Sequence, residues 1–239
     1  MPRILRPLGS AGLVLFCDHA SNHIPAELHN LGLPPSELMR HIAWDIGAAG
    51  VTEALSEIFD APAILCQTSR VVIDCNRQPI RADLIPEVSA GTLIPGNLQL
   101  SDGAKAVRLK RWFHPYHDAV ESVFLEREAR GAPSIAISIH SMTDSLGGTG
   151  RPWQVSLSSH LDRRLTDSML ASLRRMRDIT VGDNQPYDLD PDMDYSTPFH
   201  ALRRGLLHLQ VEIRQDEIAD LPQQQRWARR LAQSLREVI

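Results

Sequence analysis

The sequence is poor in cysteine and has no long apolar run, and each absence excludes a class of protein. Its three cysteines, Cys17, Cys66 and Cys75, form no CxxC pair. All three lie in or beside apolar runs typical of strands, where a free cysteine behaves as a small hydrophobe. No apolar run approaches the roughly 20 residues of a membrane span, and the N-terminus lacks the long apolar region of a signal peptide. We therefore expect a soluble protein of the reducing cytoplasm, without a membrane partner.

A large excess of either charge is also absent. Lysine and arginine total 25 against 29 aspartate and glutamate residues, which gives a net charge of -4. This charge is too small to suggest binding to a polyanion, so nucleic acid is not an expected partner. Internal repeats are absent as well, and a length of 239 residues suits one domain spanning 1–239. The sequence does not indicate an oligomeric state.

What the chain does have is a set of reactive side chains placed directly after predicted strands. Because predicted strands and helices alternate, the core strands should run largely parallel and present their carboxyl ends at one edge of a sheet, where α/β proteins bind ligands. Three apolar strands lead into such side chains: 13–17 into Asp18 and His19, 134–139 into His140 and a glycine-rich loop at 147–150, and 206–211 into Glu212.

The octapeptide Arg-Val-Val-Ile-Asp-Cys-Asn-Arg at 70–77 supplies a fourth such position. Its first half, 70–73, is rich in β-branched residues and predicts a strand, which leaves Asn76 and Arg77 near the strand's end. Arg70 and Arg77 keep their charge at physiological pH, so they suit the binding of an anionic substrate. Surface arginines held in salt bridges are the structural alternative.

Two imidazoles from different strands suit Zn²⁺, which takes three protein ligands in catalytic sites and leaves one position for water. His19 and His140 are therefore candidate metal ligands, with buried structural histidines as the alternative. A carboxylate near that water can act as general base, and Glu212 is placed for this role unless it forms a salt bridge with Arg214 or another arginine. These residues favour metal-assisted amide hydrolysis. A serine nucleophile is not favoured, since the sequence has no Gly-x-Ser-x-Gly elbow around its candidate serines.

A helical pattern over 36–59 carries Asp45. Gly47 interrupts this pattern, so the alternative is a second helix that begins at Ile46 and is capped by Asp45. Under that alternative the Asp45 carboxylate has a structural role only.

A second amphipathic helix is predicted from a cap at Ser101 to about Arg130. It contains Pro115, which removes a hydrogen bond and distorts the helix next to His117. The other predicted elements are strands at 63–66 and 154–157, helices at 161–176 and from 222 onwards, a turn-rich loop at 183–187 and a long irregular loop at 80–100.

Seven short blocks of sequence follow one another as far as Arg214. They are Cys17-Asp-His-Ala-Ser-Asn22, Ala43-Trp-Asp-Ile-Gly-Ala48, Arg70-Val-Val-Ile-Asp-Cys-Asn-Arg77, His114-Pro-Tyr-His117, Ser138-Ile-His-Ser141, Asp183-Asn-Gln-Pro-Tyr187 and Val211-Glu-Ile-Arg214. Each block alone is weak, but the ordered set covers most of the chain and resembles the N-formylglutamate amidohydrolase family.

The resemblance implies a single-domain α/β fold, a three-layer αβα arrangement around a mostly parallel mixed sheet, similar to phosphorylase/hydrolase-like and zinc carboxypeptidase or aspartoacylase folds. It implies hydrolysis of a small anionic N-acyl amino acid, typically N-formyl-L-glutamate to formate and L-glutamate, with Zn²⁺ or another divalent metal. The roles that it implies are metal binding by His19 and His140, oxyanion stabilisation by Arg70, carboxylate binding by Asn76 and Arg77, and base catalysis by Glu212.

One departure from the resemblance concerns the metal. The wider fold has His-x-x-Glu at its first metal pair, whereas Asn22, a poor zinc ligand, stands three residues after His19. Asp45 is therefore the preferred third ligand, with Asn22 and Asp18 as alternatives, and Asp18 is better suited to orienting a histidine. Further candidate substrate contacts are Asn22, His117, Asn184 and Tyr187, the last two in a loop that a plain turn also explains.

Two other functions stay open on the sequence alone. The 70–77 corner predicts a carboxylate near the scissile bond but not the acyl group, so another N-acyl amino acid or a small peptide-like amide is an alternative substrate. A metal-free binding protein for a small dicarboxylate is the second alternative, because Asn22 is a poor metal ligand. Metal content distinguishes this last function from the enzymes.

Overall fold

The computed structural model describes residues 1–146 and 148–239. Gly147, the first residue of the predicted glycine-rich loop, lies outside the described residues. Within them the chain forms the predicted α/β fold, a mostly parallel sheet with helices on both faces. None of the helices in this part of the chain combines the length and the apolar character that crossing a membrane requires.

The central sheet has seven strands among the described residues. They are β1 (Arg3–Leu5), β2 (Leu13–Cys17), β3 (Ala63–Leu65), β4 (Ile135–Met142), β5 (Val155–Ser158), β6 (Val181–Asp183) and β7 (His208–Arg214). Their order is β1-β3-β2-β4-β7-β5-β6, with β1 antiparallel to β3 and β7 antiparallel to β5. Two small hairpins pair Val88–Ser89 with Thr92–Leu93 and Ser145–Leu146 with Thr149–Gly150.

Helices cover both faces of this sheet. They are α1 (Pro35–Leu38), α2 (Ala48–Phe59), α3 (Asp102–Arg108), α4 (His114–Ala129), α5 (Arg164–Leu173), α6 (Ser196–His200) and α7 (Leu221–Val238). Helices α2, α5 and α7 pack on one face, where Leu15 and Trp227 share a core, and α4 packs on the other with Phe16 and Tyr116. Neighbouring residues of β2 thus serve opposite faces, as the alternation of side chains along a strand requires.

Two strands extend further than the sequence predicts. β4 and β7 continue beyond the expected ends at 139 and 211, so His140 and Glu212 lie within paired strand. The register places Glu212 beside His140 and Arg214 beside Met142. The predicted strands ended too early because an apolar pattern shows only which side chains face the core. The hydrogen bonds between the strand backbones continue past the first polar side chain.

The strand predicted for 70–73 is wrong. These residues form turns, one of them closed by a hydrogen bond of 2.9 Å from Val72 N to Ser69 O. Val72 and Ile73 are nevertheless fully buried in the core on the α4 face. The β-branched composition therefore reflects burial of a turn, and not pairing in a sheet.

The helical pattern over 36–59 is broken into α1 and α2. Gly47 adopts a φ of 82°, and a Cβ at this position would lie 2.1 Å from Ile218 O. This glycine precedes α2, which begins at Ala48 and not at Ile46. Because the Asp45 carboxylate points towards two histidines, its interpretation as a helix cap is wrong.

The helix predicted from Ser101 reaches Ala129 but contains a π-helical turn at Leu109–Phe113. Ser101 Oγ caps its start as predicted, accepting a hydrogen bond of 3.2 Å from Ala104 N. The π turn leads directly to Pro115, in the first turn of α4, where a missing N–H group costs little. The distortion expected at the proline thus takes the form of a π turn.

The start of α7 offers a test of local stability. Asp220 Oδ1 accepts a hydrogen bond of 2.8 Å from Gln223 N, and Gln223 Oε1 accepts one of 3.1 Å from Asp220 N. Replacing Asp220 by alanine should lower the free energy of unfolding by about 1 kcal/mol, because the Gln223 N–H at the helix start loses the side-chain oxygen that accepts its hydrogen bond. Urea denaturation measures this change. The control Asp167→Ala, which removes an exposed ion pair with Arg163, should cost no more than about 0.5 kcal/mol. Equal stability of Asp220→Ala and wild type would show that α7 does not depend on this cap.

Candidate metal and substrate site

A cavity of about 620 Å³ opens at the carboxyl edge of β2, β4 and β7. His19 follows β2, while His140 and Glu212 are neighbours on β4 and β7. All three line the cavity, together with Asp45 and Arg70 from the loops beside the sheet. The structure therefore brings five of the residues singled out in the sequence to one place.

His19, Asp45 and His140 form a compact, buried cluster whose ligand atoms lie within 4.8 Å of one another. Asp45 Oδ2 is 3.3 Å from His19 Nδ1 and 2.9 Å from His140 Nδ1. A tetrahedral zinc ion with bonds of about 2.0–2.1 Å holds neighbouring ligand atoms roughly 3.3 Å apart, so the two spacings fit. Two imidazoles and a carboxylate are also ligand types that zinc takes. The cluster can hold a divalent metal ion.

Each histidine of the cluster directs its other ring nitrogen at a buried carboxylate. His19 Nε2 lies 2.7 Å from Asp74 Oδ1, and His140 Nε2 lies 3.2 Å from Asp18 Oδ2. In metal sites such carboxylates fix the orientation and the tautomer of the ligating histidine. Here they leave both Nδ1 atoms facing Asp45.

Asp18 is itself held in place by its neighbours. Its Oδ1 accepts hydrogen bonds from Tyr116 Oη, at 2.8 Å, and from Ser196 Oγ. Burial acts to raise the pKa of Asp18, but His140, His19 and the hydrogen bond from Ser196 together lower it to about 2. The carboxylate therefore stays ionised and suits the orientation of His140, as the sequence suggested.

The buried carboxylates favour positive charge on the cluster. Burial acts to lower the pKa of His140, yet hydrogen bonds with Asp18 and Asp45 raise it well above its ordinary value. Burial and Arg70 act to lower the pKa of His19, but nearby carboxylates, Asp74 first, raise it overall. The same environment that favours these protons also favours a metal cation.

Arg70 lies between two carboxylates at the cavity wall. Its Nη2 and Nε are 2.8 Å and 3.2 Å from Asp74 Oδ2, and its Nη1 is 3.3 Å from Asp45 Oδ1. Since Asp45 also contacts both histidines, the guanidinium stands next to the candidate metal ligands. This position suits stabilisation of a negative charge that develops there.

Asn76 and Arg77 also line the cavity. Asn76 Nδ2 and Arg77 Nη1 both donate to Asp194 Oδ1, each at 3.2 Å. Arg77 Nε lies 3.4 Å from Asp83 Oδ2, so two carboxylates fix the guanidinium from two sides. The contacts that define these two ion pairs involve Nε and Nη1 of Arg77, and not Nη2. The two donors are therefore held side by side for a ligand in the cavity.

Glu212 is 7% exposed and faces the same cavity. Burial raises the pKa of its carboxyl to about 7, with Asp45 acting in the same direction and His140 against it. A carboxyl with a pKa near the working pH can both accept and donate a proton. The alternative of a salt bridge with Arg214 finds no support, because Arg214 pairs with Asp216 and Glu217.

Two of the predicted substrate contacts lie elsewhere. Asn22 donates its Nδ2 to Leu38 O at 2.8 Å, and Asn184 exchanges hydrogen bonds with the backbone of Ser159. Neither residue belongs to the cavity lining. Both side chains satisfy local backbone groups, which is the turn role that asparagine commonly takes. Asn22 is accordingly not placed as a metal ligand either.

His117 is buried behind the site and does not belong to the cavity lining. Its Nε2 lies 2.9 Å from Cys75 O, and its Nδ1 lies 3.0 Å from His200 Nε2. Burial lowers the pKa of His117 to about 3. His117 thus contacts the backbone between Asp74 and Asn76 from behind the cavity. This position gives no evidence for the predicted contact of His117 with substrate.

Tyr187 does line the cavity, at its rim, and is 44% exposed. Its hydroxyl oxygen accepts a hydrogen bond of 2.7 Å from Arg151 Nη2. The ring of Tyr187 also lies 5.1 Å from the Arg151 guanidinium carbon. The predicted contact of Tyr187 with substrate therefore stays a prediction consistent with its place.

Two residues of the site received no role from the sequence. Asp74 lay within the octapeptide, and its contacts with His19 and Arg70 depend on a turn that was predicted as strand. Asp194 is 118 positions from Asn76 and gives no local signal. Only the fold brings it beside Arg77.

Comparisons with known proteins place the chain among hydrolases. A family model described as N-formylglutamate amidohydrolase matches residues 11–219. A gene product of Agrobacterium tumefaciens superposes with a TM-score of 0.94 and 33% sequence identity, covering 99% of this chain and 95% of that one. An N-formylglutamate amidohydrolase from Ralstonia eutropha JMP134 superposes with a TM-score of 0.67 and 19% identity, covering 99% and 96%, and this likeness supports the fold. A comparison with curated proteins gives no significant match.

The carboxylate behind His140 offers a test of the metal site. Replacing Asp18 by asparagine should weaken zinc binding by about 10–100-fold, because the charge that orients His140 is lost while the shape is kept. Titration of the purified protein against a zinc chelator of known affinity measures the change. The control Asp60→Asn, at an exposed carboxylate, should leave the affinity for zinc unchanged. Unaltered zinc affinity in Asp18→Asn would contradict the orienting role.

Proposed function

Since this chain belongs to the N-formylglutamate amidohydrolase family, we propose that it is a metal-dependent hydrolase that cleaves the amide bond of an N-acyl amino acid. Zinc is the proposed metal, bound by His19, Asp45 and His140. N-formyl-L-glutamate, which yields formate and L-glutamate, is the substrate that family membership favours. The observation that carries the proposal is the convergence of a buried His-Asp-His cluster and a carboxyl with a raised pKa on one cavity.

The proton transfers are assigned to Glu212. A divalent cation bound at the cluster supplies Lewis-acid polarisation of the substrate carbonyl and lowers the pKa of a nearby water molecule. Glu212 accepts a proton from the attacking water and then donates it to the departing amine nitrogen. Its pKa of about 7 suits both steps near neutral pH.

The anionic groups of the reaction are assigned to the arginine corner. Arg70 stabilises the oxyanion that forms at the acyl carbon, and its contacts with Asp45 and Asp74 fix its guanidinium before the substrate arrives. Asn76 and Arg77 bind the α-carboxylate of the substrate. Asp194 holds both donors on the same side of the cavity, which reduces the conformational freedom lost on binding.

Removal of the proposed base gives the first test. Glu212→Gln should lower kcat for formate release from N-formyl-L-glutamate by about 100-fold or more, since a neutral amide cannot accept the proton. Zinc content should stay at the wild-type level, because Glu212 is not among the proposed ligands. The exposed Glu57→Gln serves as a matched control with unchanged kcat. Wild-type turnover by zinc-loaded Glu212→Gln would remove Glu212 from the mechanism.

A second test concerns the α-carboxylate. Arg77→Ala should raise KM by about 10–100-fold with a smaller change in kcat, because a charge-assisted hydrogen bond of about 1.5–3 kcal/mol is lost. Steady-state kinetics of formate release separates the two constants. Arg81→Ala is the control, since Arg81 pairs with the same Asp83 but lies outside the cavity lining. An unchanged KM in Arg77→Ala would exclude Arg77 from carboxylate binding.

A further inference from the structure

His41 lines the cavity and has no role in the proposed mechanism. It lies in a turn between α1 and Asp45, which a hydrogen bond of 3.0 Å from Ala43 N to Arg40 O closes. The side chain keeps 24% of its surface accessible, and of its two ring nitrogens only Nδ1 is buried. Nε2 is therefore the ring nitrogen that a ligand in the cavity can reach.

The turn that carries His41 is anchored to the rest of the site. The side chain of Ile42 is buried in the interior, at 5% exposure. Ala43 O accepts hydrogen bonds from Ser69 Oγ at 2.6 Å and from Arg70 N at 3.2 Å. The backbone that presents His41 is thus joined directly to the backbone of Arg70, the residue proposed to stabilise the oxyanion.

The side chains of His41 and Arg70 also converge on one carboxylate oxygen. His41 Nε2 lies 3.9 Å from Asp45 Oδ1, and Arg70 Nη1 lies 3.3 Å from the same atom. The other oxygen of this carboxylate, Oδ2, contacts the ring nitrogens of His19 and His140. His41 Nε2 and Arg70 Nη1 therefore stand together at the edge of the candidate metal cluster, where the scissile carbonyl has to bind.

The geometry also determines what Nε2 of His41 offers to a ligand. A proton on Nδ1 alone would bury a donor that has no partner within the described part of the chain, and it would turn the lone pair of Nε2 towards the Asp45 carboxylate. In the other neutral tautomer, and in the imidazolium ion, Nε2 carries a proton. Its 3.9 Å separation from Asp45 is too long for a hydrogen bond, so this N–H remains available to a ligand.

We propose that His41 is a further catalytic residue, whose Nε2–H donates a hydrogen bond to the oxygen of the scissile carbonyl and acts there together with Arg70. The inference rests on the proposed function and adds a second protein donor to its oxyanion site. Because the carbonyl oxygen gains negative charge only as water attacks, the hydrogen bond is strongest in the transition state. It therefore raises kcat more than it strengthens the binding of the substrate.

The first test separates this role from a purely structural one. His41→Leu should lower kcat for formate release about 100-fold, with KM and the affinity for zinc within about three-fold of wild type. His41→Gln keeps an N–H donor and should recover about ten-fold of the lost kcat. The exposed His160→Leu, outside the cavity lining, is the control with unchanged kcat. A wild-type kcat in His41→Leu, or a loss of zinc affinity that accounts for the lost activity, would overturn the inference.

The second test measures binding without turnover. Its probe is glutaric acid with a phosphonomethyl group on the α-carbon, in which a tetrahedral phosphonate replaces the formyl group and a methylene replaces the amide nitrogen. Calorimetry on zinc-loaded, full-length Glu212→Gln protein compares this probe with N-formyl-L-glutamate. Adding His41→Leu should weaken binding of the phosphonate about ten-fold or more, and binding of N-formyl-L-glutamate less than about three-fold.

The binding test also separates the inference from the proposed function. If the wild type releases no formate from N-formyl-L-glutamate, the proposed function fails, while a selective loss of phosphonate binding in His41→Leu still supports the inference. Equal weakening of the two ligands, no effect on either of them, or no binding of the phosphonate at all would overturn the role of His41.

Discussion

The candidate site depends on the buried carboxylate of Asp45. Burial of a charge is costly, and here the cost is offset by contacts with His19, His140 and Arg70 and by a backbone hydrogen bond of 3.3 Å from Ser141 N. The backbone of Asp45 is fixed as well, since its N–H donates to His19 O at 3.0 Å. One residue thus joins the ends of β2 and β4 to the loop that precedes α2.

Buried negative charge shapes the candidate metal site. Asp18, Asp45 and Asp74 surround two imidazoles and one arginine, and their negative charge favours either protons on the imidazoles or a divalent cation at the cluster. The proposed metal cofactor is consistent with this distribution of charge.

The sequence was enough to predict which side chains lie at the carboxyl edge of the sheet, but not which distant residues contact them there. His19, His140 and Glu212 could be placed because each follows an apolar strand, and that pattern is local. The 70–73 turn was predicted as strand because β-branched residues report burial whether or not they pair. His117 looked functional in a family-like block, yet it supports Cys75 from behind. Asp194 could not have been found from a local pattern, because its place beside Arg77 depends on contacts between distant parts of the chain.

The central claim is that Asp45 and the two histidines form a catalytic metal centre. The most direct measurement is zinc stoichiometry in purified wild type and Asp45→Ala, with formate release followed in the same samples. The account predicts about one zinc per chain in the wild type, with zinc and activity lost together in the variant while the fold is kept. Full activity in protein stripped of metal, or unchanged zinc content in Asp45→Ala, would contradict it.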